Sequence, residues 1–201
     1  LIVLNRIREA VDKYLEPSQS GFRQGRITSD IIWTHKWLIG KSFIDLSEVY
    51  ITGIDMSSAF DTICRHRLLE ILRDIVPEDE HRMIQFLLSS TNLSIRVKNS
   101  VSAEKFISNI GIPQGDSLSP VLFTIYLEHT LREIRKSTQT TLPDEVSYAD
   151  DVDFVSSTSF KDVKEIEQHL GKYDLRVNTS KTEHTLIKSD DEEHWRKVKK
   201  K

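Results

Sequence analysis

Three carboxylates constrain this chain more than any other feature of its sequence. Asp55 follows the apolar run 49–54, and Asp150 and Asp151 follow the apolar run 146–149. The backbone of a strand holds an acid at its end in a fixed position. Strand ends about a hundred residues apart in the chain can lie side by side only when both strands belong to one sheet. Two divalent cations held about 3.5–4 Å apart by such acids are the machinery of nucleotidyl transfer. The pattern therefore predicts a site for nucleic-acid synthesis.

The three carboxylates also repel one another, and a bound metal would relieve that repulsion. Without cations, at least one carboxylate in such a cluster tends to stay protonated. Mg²⁺ prefers oxygen ligands, uses few protein carboxylates and completes its shell with substrate phosphates. We predict two bound Mg²⁺ ions, which Mn²⁺ could replace, with Asp55, Asp150 and Asp151 as catalytic metal ligands. The alternative is that Asp55 only ends a strand and that the other two are turn residues.

The composition is that of one globular domain with appendages. The chain has 201 residues, of which 38% are apolar and 29% charged. It contains no apolar run long enough to span a membrane, and Leu1 does not open a signal peptide. Cys64 is the only cysteine, which excludes an internal disulfide framework and suits a reducing compartment. A net charge of −3 is unusual for a nucleic-acid enzyme, but net charge says little about a local field.

Hydrophobic periodicity predicts an alternation of helices and strands. Helices are expected over 1–15, 30–41, 65–76, 78–90, 121–136 and 160–172. Strands are expected over 49–55, 94–98, 105–109, 145–149, 152–156 and 183–188. From Asp55 onward, the order of elements is close to a split β-α-β arrangement.

Some apolar side chains of these helices are expected to face the core. In the first helix, these are Leu4, Ile7, Val11 and Leu15. In the second, Trp33 and Trp37 are predicted to be core residues rather than a platform for stacking bases. In the helix over 78–90, we expect Met83, Phe86 and Leu87 to point inward.

Five segments, in this order along the chain, resemble the motifs of reverse transcriptases, in particular those of non-LTR, LINE-type retrotransposon enzymes. The segments are Gln19–Asp30, Asp55–Asp61, Gly111–Pro120, Tyr148–Asp151 and Leu175–Thr182. The resemblance covers roughly residues 1–188. It implies an α+β fold, namely a polymerase palm with a split β-α-β (ferredoxin-like) antiparallel sheet, helices packed on one face, and part of the fingers.

The same resemblance implies an RNA-directed DNA polymerase that transfers nucleotides from dNTPs to a primer 3′-hydroxyl. Its expected partners are an RNA template, a DNA primer and dNTPs, with no membrane and with protein partners unspecified. Asp55 and Asp150 are expected to hold the metals more directly than Asp151. A LINE-type element would place the protein inside the cell, in the nucleus or cytoplasm.

The resemblance also assigns substrate-binding residues. Phe60 matches the aromatic residue that lies beneath the incoming sugar and leaves no room for a 2′-hydroxyl; the alternative is a core phenylalanine. The backbone amides after Met56 are expected near the triphosphate. Gln114 and Gly115 are expected against the nascent base pair and the template, because glycine allows close backbone approach and glutamine can both donate and accept.

Four further polar residues lie within or directly beside these motifs. Lys181 resembles a lysine proposed to protonate the leaving pyrophosphate, but a solvated surface charge is an equally good interpretation. Arg23 lies in a glycine-containing loop and suits a phosphate contact, with an ordinary salt bridge as the alternative. We expect Asp61 to cap a helix or form a salt bridge, and we assign no role to Asp153.

The resemblance divides the chain into three parts and leaves two alternatives open. Residues 1–45 are expected to be part of the fingers, 46–188 the palm with the catalytic site, and 189–201 the start of a thumb, so the chain is expected to be a fragment. One alternative is a group II intron-type enzyme, although Asp116–Ser119 is more typical of LINE-type enzymes. The other is a silent fragment that folds or binds RNA, against which the three intact carboxylates argue.

Overall fold

The computed structural model describes residues 1–45, 47–89, 91–97, 100–137, 144–157 and 163–188. The predicted start of the thumb at 189–201, the turn residues 98–99 and the first residues of the predicted helix 160–172 lie outside the described residues. The helices are α1 Ile2–Tyr14, α2 Thr28–Asp45, α3 Ala59–Thr62, α4 Arg65–Arg73, α5 Glu78–Ser89, α6 Ser119–Ser137 and α7 Val163–Lys172. The strands are β1 Val49–Ile54, β2 Met56–Ser57, β3 Asn92–Val97, β4 Ser100–Ile107, β5 Asp144–Tyr148, β6 Asp151–Ser156, β7 Arg176–Val177 and β8 Glu183–Ile187.

The main sheet has four strands in the order β5-β6-β1-β8, and all neighbouring strands are antiparallel. Numbered by their order along the chain, these strands stand as second, third, first and fourth. That order is the split β-α-β arrangement, because strands distant in the chain are paired at the centre of the sheet. The short pair β2-β7 and the hairpin β3-β4 form separate two-stranded sheets. Of these short elements, only the hairpin was predicted.

The chain divides into two compact units. The first contains residues 1–15 and 58–129, and the second contains residues 16–57 and 130–201, so that α6 begins in one and ends in the other. The four-stranded sheet belongs to the second unit. No helix in the described part of the chain is both long and apolar enough to cross a membrane.

The core of the first unit confirms the predicted inner face of α1 and corrects that of α5. Leu4, Ile7, Val11 and Leu15 are all buried, as expected. Along α5, however, Ile84 and Leu88 are buried together with Glu80 and His81. Glu80 pairs with Arg6 at 2.5 Å, and Nε2 of His81 lies 2.8 Å from the carbonyl oxygen of Leu69. Polar partners on neighbouring helices therefore select this face of α5.

The predicted inner face of α5 is exposed instead. Met83 is 49% exposed, Phe86 69% and Leu87 49%. The prediction was wrong because α5 carries apolar residues on more than one side, and its amphipathic pattern alone does not choose between them.

The prediction that Trp33 and Trp37 lie in the core is also wrong. Trp33 is 67% exposed and Trp37 is 50% exposed, and Nζ of Lys41 lies 5.2 Å from the ring centroid of Trp37. The buried residue of α2 is Ser42, whose hydroxyl donates to the carbonyl oxygen of Ser47 at 2.8 Å. The helix is thus anchored through a polar contact near its end, while at least half of the surface of each of its two tryptophans remains in solvent.

Candidate active site

The carboxylate site is built at one end of the central strand pair. Strands β1 and β6 are antiparallel, and their last paired residues at this end are Ile54 and Val152. Asp55 is the residue after Ile54, and Asp151 is the residue before Val152. Because neighbouring strands lie about 4.8 Å apart, this register places Asp55 beside the turn that carries Asp150 and Asp151. Asp55 is therefore on the same edge of the sheet as the acidic hairpin, as the sequence predicts.

The hairpin turn itself has an uncommon backbone. Strands β5 and β6 are closed by the pair Tyr148 and Asp151, which leaves Ala149 and Asp150 as the two turn residues. Ala149 has φ +60°, a conformation that costs a residue with a Cβ roughly 1–2 kcal/mol. Two-residue hairpins need positive φ in the turn because their twist must match that of the strands. The acidic turn is therefore strained and needs support from its surroundings.

An open cavity of about 540 Å³ lies beside these acids. Its polar lining residues are Asp55, Asp151, Asp153, Ser180, Lys181 and Glu183. Burial raises the pKa of the Asp151 carboxyl, and the charges of Asp150, Asp55 and Asp153 raise it further, while Lys181 lowers it. Burial and the neighbouring negative charges therefore both disfavour the ionised form of Asp151.

Lys181 lies next to the predicted metal ligand Asp55. Its Nζ is 3.6 Å from Oδ2 of Asp55, and its side chain is 66% exposed. The loop is fixed through its backbone, because the amide of Asn178 donates to the carbonyl oxygen of Asp55 at 2.8 Å and the amide of Lys181 donates to that of Asn178. Strand β7, just before this loop, pairs with β2 at Met56. Backbone hydrogen bonds thus fix the position of the lysine beside the acidic site.

The carboxylate oxygens of Asp55, Asp150 and Asp151 are chemically suitable ligands for a hard divalent cation. Carboxylates that raise the pKa of a neighbour are stabilised when a cation neutralises them, and oxygen is the ligand that Mg²⁺ prefers. The side chains are not arranged as a complete protein cage: within the described ranges, no three His, Cys, Asp or Glu side chains are placed to hold a metal ion. An incomplete set of protein ligands is compatible with a Mg²⁺ site that substrate phosphates complete.

Asp153, which had no role assigned from its motif, forms an ion pair with His35 of α2. The Nε2 atom of His35 lies 2.9 Å from Oδ2 of Asp153, and its Nδ1 lies 2.9 Å from the carbonyl oxygen of Ile31. Both ring nitrogens face acceptors, an arrangement that only the imidazolium ion satisfies fully. Gly53 leaves the necessary room, because a Cβ there would lie 2.8 Å from Oδ1 of Asp153.

This ion pair makes the stability of the protein depend on pH. The hydrogen bond to Asp153 raises the pKa of His35, with burial opposing the shift. Because the folded pKa is raised above the unfolded value of about 6.5, the stabilisation is complete below that pH and is lost as the pH rises through the folded pKa. We expect His35→Gln to lower the free energy of unfolding more at about pH 6 than at about pH 9, measured by urea denaturation. The exposed His66, changed to Gln, is the matched control, and equal losses at both pH values for His35→Gln would contradict the prediction.

In the first unit, Phe60 stacks on a buried aromatic ring. The centroids of Phe60 and Phe123 are 4.7 Å apart with an interplanar angle of 18°. Phe123 is fully buried, whereas Phe60 is half-buried. Stacking on a buried ring fixes the orientation of Phe60 and leaves part of its surface accessible. Both properties are required of a side chain that excludes a substituent by contact.

Gln114 and Gly115 lie in an exposed turn of the same unit. Nε2 of Gln114 lies 3.3 Å from Oδ1 of Asp61, and Gly115 has φ +100°, which favours glycine. The expectation that Asp61 caps a helix or forms a salt bridge is thus replaced by a hydrogen bond to Gln114. Asp116 is the residue that supports the start of α6, since its Oδ1 accepts the amide of Ser119 at 2.8 Å.

Arg65 is a structural residue that the sequence analysis missed. Its side chain is buried, and its guanidinium donates to the carbonyl oxygens of Gly111 at 2.6 Å, Leu88 at 2.7 Å, Ser108 at 2.7 Å and Ile110 at 3.3 Å. Burial lowers the pKa of Arg65. The backbone of the segment before Gln114 is therefore tied to the start of α4. A lone arginine in an amphipathic helix gives no local signal of this role.

Replacing Arg65 by methionine should destabilise the protein substantially. The change preserves much of the side-chain volume but removes the donor of two buried hydrogen bonds, those to the carbonyl oxygens of Gly111 and Leu88, at a cost of about 1–3 kcal/mol each. We expect the free energy of unfolding to fall by about 3 kcal/mol in urea denaturation, because some carbonyls will regain water. Arg82→Met removes an exposed arginine of α5 and should cost less than about 1 kcal/mol. A similar small loss for both variants would show that the carbonyl contacts contribute little.

Arg23 also bonds to the backbone. Its Nη1 donates to the carbonyl oxygens of Glu16 at 2.7 Å and Gln19 at 3.1 Å. These bonds shape the loop between α1 and α2. Contact between Arg23 and a phosphate remains a prediction.

A comparison with known protein families identifies the family to which this chain belongs. Residues 1–199 match the family described as "Reverse transcriptase (RNA-dependent DNA polymerase)". The chain therefore belongs to the reverse transcriptase family, and the resemblance inferred from its five motifs is confirmed.

Similar curated proteins come from retrotransposons. The chain is 27% identical over 127 residues to the "Probable RNA-directed DNA polymerase from transposon BS" of Drosophila melanogaster, which covers 62% of this chain and 14% of that protein. It is 25% identical over 162 residues to the "Retrovirus-related Pol polyprotein from type-2 retrotransposable element R2DM" of the same organism, covering 78% of this chain and 15% of that protein. The predicted similarity to non-LTR enzymes is confirmed, and the chain spans a small part of these relatives.

Solved structures of telomerase share the fold. An apo telomerase from Candida tropicalis, truncated from its C-terminal domain, matches with a TM-score of 0.67 and 16% identity, covering 92% of this chain and 40% of that chain. The telomerase of the same organism in complex with a fragment of telomeric RNA matches with a TM-score of 0.71 and 15% identity, covering 91% of this chain and 33% of that chain. The predicted α+β polymerase fold is confirmed.

Proposed function

We propose that this chain is the catalytic domain of a retrotransposon RNA-directed DNA polymerase. It joins dNTPs to the 3′-hydroxyl of a DNA primer that is paired with an RNA template. The observation that carries the proposal is the strand register, with Ile54 opposite Val152, which brings Asp55 beside Asp151 and the hairpin turn that contains Asp150. The electrostatic coupling of Asp151 to both other carboxylates supports the same reading.

In this proposal, Asp55, Asp150 and Asp151 hold two divalent ions, Mg²⁺ or alternatively Mn²⁺. When bound, the ions supply activation of the primer hydroxyl and neutralise the charge of the triphosphate and its leaving group. The side chain of Lys181 then donates a proton to the departing pyrophosphate. Its support is the 3.6 Å distance from Nζ to Oδ2 of Asp55, which keeps the ammonium within the acidic site.

The remaining predicted residues select and orient the substrates. The ring of Phe60 excludes a 2′-hydroxyl, and its stacking on Phe123 supports this role because a steric gate must be rigid. Gln114 and Gly115 contact the nascent base pair and the template through a turn whose glycine has positive φ. The amides after Met56 bind the triphosphate, and Arg23 contacts a phosphate.

The proposal keeps the predicted division of the chain by function. Residues 1–45 serve as the base of the fingers, 46–188 as the palm, and 189–201 as the start of the thumb.

The proposal is tested by primer extension with the protein that contains this chain, beside the chain alone. A DNA primer annealed to an RNA template is incubated with dNTPs and Mg²⁺, with Mn²⁺ and with a chelator in parallel. We expect extension that requires a divalent ion and stops when the chelator is added. Template binding without extension in the longer protein would indicate a silent RNA-binding domain instead.

A further inference from the structure

A short segment before α2 lies directly against the strained turn that carries the catalytic acids. The amide of Ser20 donates to the carbonyl oxygen of Ser147 at 2.9 Å, and the amide of Ser147 donates to that of Ser18 at 3.1 Å. Gln19 and Ser147 thus form an isolated parallel bridge. All of these residues belong to the second compact unit. The segment extends the backbone pairing of β5 up to the residues that precede Ala149.

The side chain of Gln19 engages the backbone of the turn. It is 2% exposed. Its Oε1 accepts the amide of Ala149 at 3.2 Å and the amide of Gly21 at 2.7 Å, and its Nε2 donates to the carbonyl oxygen of Ala149 at 3.4 Å. One buried amide group therefore contacts both the donor and the acceptor of Ala149, and a buried amide of this kind satisfies backbone groups that water cannot reach.

The contact holds a conformation that alanine disfavours. Ala149 has φ +60°, which its Cβ makes costly. Gly21 permits the close approach, because a Cβ at that position would lie 2.1 Å from the amide nitrogen of Ala149. The bond from Nη1 of Arg23 to the carbonyl oxygen of Gln19 holds the segment in place. Backbone strain of this kind persists only where the surroundings determine it.

We propose that Gln19 is a positioning residue that holds Ala149 in its left-handed conformation and so sets the direction of the next side chain, Asp150. The inference rests on the proposed function, because it takes Asp150 to be a metal ligand. Asp150 directly follows Ala149, so a change in the ψ angle of Ala149 reorients the whole of Asp150. Gln19 acts through the backbone of the turn and touches no reacting atom.

The test compares steady-state primer extension by the parent and by Gln19→Met. Methionine keeps the side-chain volume and removes the acceptor for the amides of Ala149 and Gly21. A misplacement of about 1 Å at a catalytic group can cost roughly a hundredfold in rate. We expect kcat to fall about tenfold to a hundredfold, with KM for the dNTP within about threefold of the parent value. The Mg²⁺ concentration that gives half-maximal activity should rise.

Ser42→Ala is the matched control. It removes a hydrogen bond from another buried side chain to a backbone carbonyl in the same unit, from Ser42 to Ser47. Both variants are compared at equal folded fraction, determined by thermal unfolding. We expect Ser42→Ala to lower the melting temperature while leaving kcat and the Mg²⁺ requirement near those of the parent.

A rescue variant separates positioning from a general loss of stability. Glycine adopts positive φ without the Cβ penalty, so the turn with Ala149→Gly should depend less on Gln19. We expect Gln19→Met to reduce kcat several-fold less in the Ala149→Gly background than in the parent background. This ratio remains informative even if Gln19→Met melts at a lower temperature.

Two results would overturn the inference. The first is a kcat for Gln19→Met within about twofold of the parent at matched folded fraction. The second is an equal loss in the Ala149→Gly background. Asp150→Asn, assayed in parallel, separates this failure from failure of the proposed function. An inactive Asp150→Asn beside an active Gln19→Met rejects only the inference, whereas an active Asp150→Asn rejects the metal assignment itself.

Discussion

Primer extension by Asp150→Asn is expected to be at least about a thousandfold slower than that of the parent. Metal ions contribute several kcal/mol of charge stabilisation in the transition state, and each 1.36 kcal/mol corresponds to a factor of ten in rate. A neutral amide keeps the shape of the side chain but cannot balance the charge of a divalent ion. The measurement is the rate of dNTP incorporation on an RNA template by the protein that contains this chain.

Template affinity should change far less in the same variant, because attraction between basic side chains and phosphates dominates nucleic-acid binding and a carboxylate does not supply it. A filter-binding or fluorescence assay on the primer-template duplex provides this second value. Asp74→Asn, which neutralises an exposed acid at the end of α4, is the matched control and should leave synthesis unchanged. Synthesis by Asp150→Asn at a rate close to the parent would refute the two-metal assignment.

Phe60→Val is expected to raise the ratio of ribonucleotide to deoxyribonucleotide incorporation by roughly two orders of magnitude. The ring excludes the 2′-hydroxyl by contact rather than by a hydrogen bond, and discrimination through shape is worth about 1–3 kcal/mol. Use of dNTPs should fall only moderately, since valine still fits beneath a deoxyribose. The measurement is the ratio of kcat/KM for rNTP and dNTP, taken at matched folded fraction.

The stack of Phe60 on Phe123 provides the competing explanation for any effect of this substitution. A purely structural role would give a loss of stability, up to about 3–5 kcal/mol for a change to alanine, and equal losses of activity with both sugars. Phe86→Val makes the same change at a 69% exposed position in the same unit and should leave the ratio alone. An unchanged ratio in Phe60→Val would make Phe60 a core residue and remove the basis for sugar selection.

The sequence was sufficient for the family, the order of the elements and the position of the acids along the chain. These properties are local. Apolar runs indicate β1, β5 and β6, and the acids were recognised as site candidates because they lie at the ends of those runs. The pairing of β1 with β6 was also predictable, because both acidic ends must lie at one edge of a sheet. The resemblance to reverse transcriptase motifs then supplied the expected roles of Phe60 and Gln114.

The short elements near the site were not predictable in the same way. Strands β2 and β7 contain two residues each, too few for any alternation of polar and apolar residues to appear. Their pairing is fixed by the loop at Asn178, whose amide binds the carbonyl oxygen of Asp55. The proximity of Lys181 to Asp55 follows from that loop, so it emerged only with the folded chain.

Tertiary contacts alone decided which faces are buried and which polar residues support the site. Periodicity shows that α5 is amphipathic, but the partners of Glu80 and His81 on other helices choose its inner side. The exposure of Trp33 and Trp37, the carbonyl contacts of Arg65 and the clamp of Gln19 on Ala149 likewise depend on residues distant in the chain. Local sequence determines the propensity of each segment for helix or strand. A buried hydrogen bond between distant residues requires two segments to be in contact, and the packing of the whole fold determines which segments are in contact.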